Sequence, residues 1–152
     1  MDRETVLIKE IDVIQNIIKR MAFNSFLIKG WAVTLITVTL LLKGDAYQNL
    51  IALIPLFIFW YLDAYFLWQE RAYRELYKWV IENRLKDDKL ECDKYLFDMK
   101  AGKRFGKKIQ TKPRIMFSET LLAFYGSILL LIFIYNGILL ISYLIKKGII
   151  SL

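Results

Sequence analysis

Three apolar stretches, residues 26–42, 49–68 and 120–145, are each long enough to cross a bilayer, and the rest of the chain has to be arranged around them. A hydrocarbon core of about 30 Å takes about 20 helical residues. No water reaches backbone N–H and C=O groups there, so each stretch should be a helix. The 22 Lys/Arg are divided unequally by these stretches. Five lie at or before Lys29 and 14 lie between Arg71 and Arg114. Only Lys43, Lys146 and Lys147 fall on the other side, a split of 19 to 3. Positive-inside logic then puts the N-terminus and the long connector in the cytoplasm and the C-terminus outside. The expected fold is an all-α membrane protein with three transmembrane helices, an N-terminal amphipathic helix and a helical cytosolic extension.

Four segments follow from this layout: 1–25, a cytosolic amphipathic helix; 26–68, transmembrane helices 1 and 2; 69–114, a basic cytosolic connector; and 115–152, transmembrane helix 3 with a short outer tail. In the first, Leu7, Ile11, Ile14, Ile18 and Met21 follow a 4-3-4-3 spacing, an a/d seam. Glu10, Asp12, Lys19 and Arg20 occupy other positions. The seam fits a helix packed on its own chain or a contact between subunits. Scattered acids (Asp2, Glu4, Glu10, Asp12) argue against a cleavable signal peptide.

Within the expected spans, polar residues carry most information. Gly30, Thr34 and Thr37 form a small, mildly polar face suited to packing against another helix, or less readily to lining a pore. Asn136 has the same two uses: an interhelical hydrogen bond or a ring on a central axis. Asp63 is costly in a membrane and needs a partner. Lys29 sits near the same end of the first span, so the two are expected to form an ion pair, within or between subunits. Pro55 is placed to kink the second span. No helix breaker follows Trp68, so that span is expected to continue into the cytosol as one long helix.

The connector holds 14 Lys/Arg against 8 Asp/Glu. Arg71, Arg74 and Lys78 form a basic stripe, partly neutralised by Glu70 and Glu75. Residues 87–98 read as a turn and a short second helix. Residues 100–114 contain no acid and carry Lys100, Lys103, Arg104, Lys107 and Lys108; with Gly102 and Gly106 among them, this run reads as a loop that Pro113 ends. Ser118 is placed to cap the third span.

Catalysis is not expected. The chain has no His, a single Cys (Cys92), no phosphate-binding glycine motif and no metal-ligand cluster. Neither a cofactor nor a metal is expected. Binding remains, in three forms: charges that fix topology and touch anionic lipid, a site for a nucleotide or nucleic acid, or a site for an acidic protein. For the second, the phosphate residues are Arg71, Arg74, Lys78, Lys100, Lys103, Arg104, Lys107 and Lys108. Tyr73, Tyr77 and Phe105 are the stacking candidates.

The block Trp60-Tyr61-Leu62-Asp63-Ala64-Tyr65-Phe66-Leu67-Trp68-Gln69-Glu70-Arg71 carries a span straight into a cytosolic helix. With the amphipathic N-terminal helix, this layout resembles the compact membrane effectors of bacterial antiphage systems, in particular the HalA-type effectors of the Hailong system. The resemblance extends over the layout of the whole chain and rests on no diagnostic motif. It implies an oligomeric channel, tetrameric, in the bacterial inner membrane, encoded beside a nucleotidyltransferase. It further implies that single-stranded DNA oligomers hold the channel inactive on an electropositive cytosolic face, and that their loss arrests growth or kills the cell. The competing expectation is a membrane anchor or scaffold that does not conduct, whose basic connector binds a cytosolic protein or anionic lipid.

Overall fold

The computed structural model describes residues 3–42, 51–84 and 96–149. The described residues form helices and the turns between them, with no strand. Helix α1 (Arg3–Leu41) and α2 (Leu53–Asn83) run antiparallel along most of their lengths. Two short helices follow, α3 (Ala101–Phe105) and α4 (Lys112–Met116), joined by a 3-10 turn at Gly106–Lys108. Helix α5 (Glu119–Lys146) completes the fold. Helix α2 is the hub: α1, α3, α4 and α5 all pack on it.

The amphipathic segment and the first span are one helix rather than two. Between Met21 and Phe26 the chain has no Gly or Pro, and α1 passes through without a break. Its length is about 58 Å at 1.5 Å per residue. The a/d seam packs within the chain: Ile14 is fully buried against Ala72, Leu76 and Val80 of α2, with Leu7, Ile11 and Ile18 around it. Just ahead of Pro55 the helical pattern is interrupted at Ala52, and α2 begins at Leu53. Pro55 falls in the first turn, where its missing N–H costs little.

Two helices, α1 and α5, are long and apolar enough to cross a membrane. Helix α2 falls short of that test, because its apolar stretch from Leu53 to Trp68 is followed directly by Gln69, Glu70 and Arg71. The core of a soluble protein would cover such helices. Here only 6% of the apolar window of α5 is buried, and 17% of that of α1.

Two hydrophobic clusters divide the molecule along its length. One joins the upper half of α1 to α2 and α5, through Ile36, Leu56, Trp60, Leu121, Tyr125 and Ile132. The other joins the lower half of α1 to α2 and α3, through Ile14, Leu76, Val80 and Phe105. The expected loop at 100–114 is instead mostly short helices. Gly102 and Gly106 let α3 sit against the Trp68 ring, which an added Cβ would meet at 2.9 Å and 3.0 Å. Pro113 lies in the first turn of α4 rather than ending a loop. The link between the first two expected spans, with Lys43, and most of the expected short helix in 87–98 lie outside the described residues.

Candidate functional site: a cationic groove between α1 and α2

The antiparallel register of α1 and α2 determines which side chains meet. Glu10 reaches Arg84, Gln15 reaches Tyr77, and Lys29 reaches Asp63, so each step up α1 is a step back along α2. Lys19 therefore falls opposite the Arg71–Lys78 stripe. Where the 3-10 turn closes the same side, a groove of about 710 Å³ opens. Among the described residues its cations are Lys19, Arg71, Arg74, Lys78 and Lys108, with Glu75 the only carboxylate in its wall. Ile18, Ile109 and Tyr77 give it an apolar side.

Two of these cations already have carboxylate neighbours. Arg74 lies 2.7 Å from Glu70 and Lys78 lies 2.8 Å from Glu75, as the helical spacing led one to expect. Both basic side chains are more than half exposed. Exposed pairs of this kind contribute about 0–1 kcal/mol, so a polyanion could recruit either cation at small cost. Arg71 donates to the neutral Gln110 side chain at 3.1 Å.

The structure gathers part of the expected ligand set. Arg71, Arg74, Tyr77, Lys78 and Lys108 line the groove. Lys100, Lys103 and Lys107 are exposed but lie outside its wall. Arg104 packs its guanidinium 3.9 Å from the centre of the Trp79 ring. Phe105 cannot stack on a ligand: it is 4% exposed and belongs to the lower core. Tyr73 is held inward, donating to the Met99 carbonyl at 2.8 Å. Burial pushes its phenol above the usual value, and Tyr65 adds to this while Arg20 opposes it. Lys19, Gln15 and Gln110 were missed by sequence reasoning. Lys19 would have emerged from sliding the two helices past one another until Asp63 met Lys29.

The polar residues of the upper half separate into two groups. Asp63 is wholly buried and gathers three neighbours. Lys29 Nζ lies 2.6 Å from its Oδ2, Ser25 donates to its Oδ1, and the Tyr125 hydroxyl donates to Oδ2 at 3.2 Å. One carboxylate thus links α1, α2 and α5 within a single chain. Among the described residues, Thr34, Thr37 and Asn136 touch no other helix through a side-chain hydrogen bond. Thr34 bonds back to the Gly30 carbonyl and Asn136 to that of Ile132, each four residues earlier. Gly30, Thr34 and Thr37 are exposed, so none of the described helices covers that small face.

A second buried ion pair joins the start of α1 to the end of α2. Glu10 was expected on the polar face of α1, yet it is 1% exposed. Arg84 holds it with two bonds of 2.8 Å, and the Phe97 N–H donates to it at 3.1 Å. Phe97 has a φ of 56°, unusual for a bulky residue. Its bond to Glu10 helps to hold that conformation.

Among the described residues no three His, Cys, Asp or Glu side chains converge as metal ligands. No family model, curated protein or solved structure matches the chain.

Proposed function

We propose that the chain is the membrane effector of an antiphage system, a homo-oligomer that forms a channel or pore and binds an anionic nucleotide or a short single-stranded DNA oligomer in the α1–α2 groove. The observation that carries the reading is the convergence of five cations from three separate segments on one groove with a tyrosine in its wall. Phosphates would take Lys19, Arg71, Arg74, Lys78 and Lys108, and Tyr77 would offer its ring to a base. The upper half would lie in a bacterial inner membrane with three spans per subunit, the groove facing the cytoplasm. Trp60, Tyr65 and Trp68 suit α2 to the interface, and the Asp63 cluster offsets the cost of its polar residue. The uncovered Gly30–Thr34–Thr37 face and the exposed side of α5 offer surfaces for other copies.

Gating follows from linkage. A ligand can shift the pore only by its difference in affinity for the two states. The groove lies between α1 and α2, and α1 continues unbroken into the upper half, so a ligand that spreads or closes the groove acts on a membrane helix directly.

Two measurements test the proposal. Fluorescent oligothymidylate should bind the detergent-solubilised protein with an affinity that falls steeply with salt, by about 0.7 log units per contacted phosphate for each tenfold rise. Lys19→Gln with Lys108→Gln should weaken it without changing oligomeric size. Binding that is absent at low salt, or insensitive to salt, rejects the ligand. Reconstituted protein should also pass ions across liposomes in a manner altered by the oligomer; a silent bilayer favours the non-conducting anchor.

A further inference from the structure

Arg71 faces two cavities. It lines the groove, and it also lines a separate cavity of about 470 Å³ on the side of α4 and the start of α5. Arg114 adds a second guanidinium there, and Gln110, already bonded to Arg71, forms part of the wall. Ser118 lies in the same wall at the N-cap of α5. It does not cap the helix as its position led one to expect. Its Oγ is shielded from solvent and has no hydrogen-bond partner. The first-turn N–H groups of a helix without a side-chain cap carry partial positive charge and attract anions. Two arginines, an unused hydroxyl and the start of a 28-residue helix therefore converge on one cavity.

The height of this cavity identifies its occupant. Arg71 follows Asp63 by eight residues, about 12 Å along α2. Tyr65 and Trp68 lie between them, and the Lys112 ammonium sits 4.9 Å and 5.0 Å from their ring centres. Phe117, in the cavity wall, is 64% exposed, an apolar side chain turned outward beside cations. Below this level the chain is charged; above it, α5 is almost wholly apolar. A cavity at such a boundary meets lipid phosphates.

We infer that this cavity is a binding site for the headgroup of an anionic phospholipid, with the phosphate between Arg71 and Arg114 and accepting from Ser118 Oγ. Guanidinium groups suit a phosphodiester because they offer paired donors. Glu119, exposed at the rim, opposes a bare phosphomonoester but can accept a hydrogen bond from a headgroup hydroxyl. The site thus suits a glycerol-type headgroup. The acyl chains would run along Phe117 and the uncovered face of α5. Because Arg71 belongs to both cavities, lipid and groove ligand compete for one guanidinium, and the lipid weakens anion binding in the groove. This inference rests on the membrane reading of α5.

Native mass spectrometry of the full chain in detergent, with phosphatidylglycerol or phosphatidylcholine added, tests it. Phosphatidylglycerol should stay bound at collision energies that strip phosphatidylcholine. Arg114→Gln with Ser118→Ala should lower its occupancy roughly tenfold, as expected for the loss of a charge-assisted contact. Lys19→Gln, on the groove alone, should leave it unchanged. Inorganic phosphate at equal concentration should not displace it. Equal retention of the two lipids, an unaffected Arg114→Gln/Ser118→Ala variant, or displacement by phosphate overturns the lipid site. A chain that stays soluble without detergent overturns the membrane reading and the site together.

Discussion

Glu10 and Asp63 are both carboxylates held out of water, but their cations differ in access to solvent. The Arg84 side chain is 5% exposed, and that of Lys29 is 28% exposed. Removing one partner of a buried pair strands the other charge, at about 3–5 kcal/mol. Glu10→Gln should therefore cost about that much. Asp63→Asn should cost less, about 1–2 kcal/mol, because the partly exposed Lys29 can turn its ammonium away from the core. Denaturant titration in detergent measures both, and a reversed order would reject the burial argument. Tyr73 has a pH signature. Its folded value lies above the ordinary phenol value of about 10, so the unfolded chain releases the proton first. The stability it contributes is complete below pH 10 and declines as pH rises through the folded value. Tyr73→Phe should cost about 1 kcal/mol at neutral pH and flatten the alkaline part of the melting curve. An unchanged alkaline slope would assign the loss to other groups.

At the scale of elements, α3 is held by contact with one ring. Gly102 and Gly106 are one helical turn apart, and both face Trp68. Gly102→Ala should cost about 1–3 kcal/mol despite the better helix propensity of alanine, because the ring has to move. Trp68 fluorescence would report the displacement, and a stabilised variant would show that the contact is loose. The sequence pattern revealed the long helices well: the a/d seam from Leu7 to Met21, the lack of a breaker after Trp68 and the apolar run from Thr120 are local signals. It did not reveal the short helices. In residues 100–114 the glycines and lysines favour a loop by propensity, and only the distant Trp68 gives them a reason to order. The groove was half legible for the same reason. Arg71, Arg74 and Lys78 share one helix face, whereas Lys19 and Lys108 arrive from other segments. Phe105 looked available because aromatic residues beside lysines resemble a stacking platform, yet its neighbours in space are Ile14 and Leu76.

At the scale of the molecule, one end is covered by charge and the other by exposed aliphatic side chains. The proposed orientation can be read by labelling. With Cys92 replaced by Ser, a cysteine at Lys103 should react with an impermeant maleimide only from the cytoplasmic side. One at Ile149 should react only from the outside. Both positions are exposed. Labelling of both from one side would remove α5 as a span.

The unbroken course of α1 sets a phase relation between distant parts of the protein. Lys19 must face the groove and Lys29 must face Asp63, and only the winding of the helix keeps the two bearings matched. One alanine inserted between Arg20 and Ser25 would turn the upper half by about 100° relative to the lower. Lys29 would then leave Asp63 while Lys19 stayed in place. Four inserted alanines would come back to within about 40° of the original bearing. If groove and membrane helix communicate through α1, a response to the oligomer should vanish with one inserted residue and return in part with four. Such periodicity in a function is the mark of a rotating shaft, and a flexible tether would show none of it.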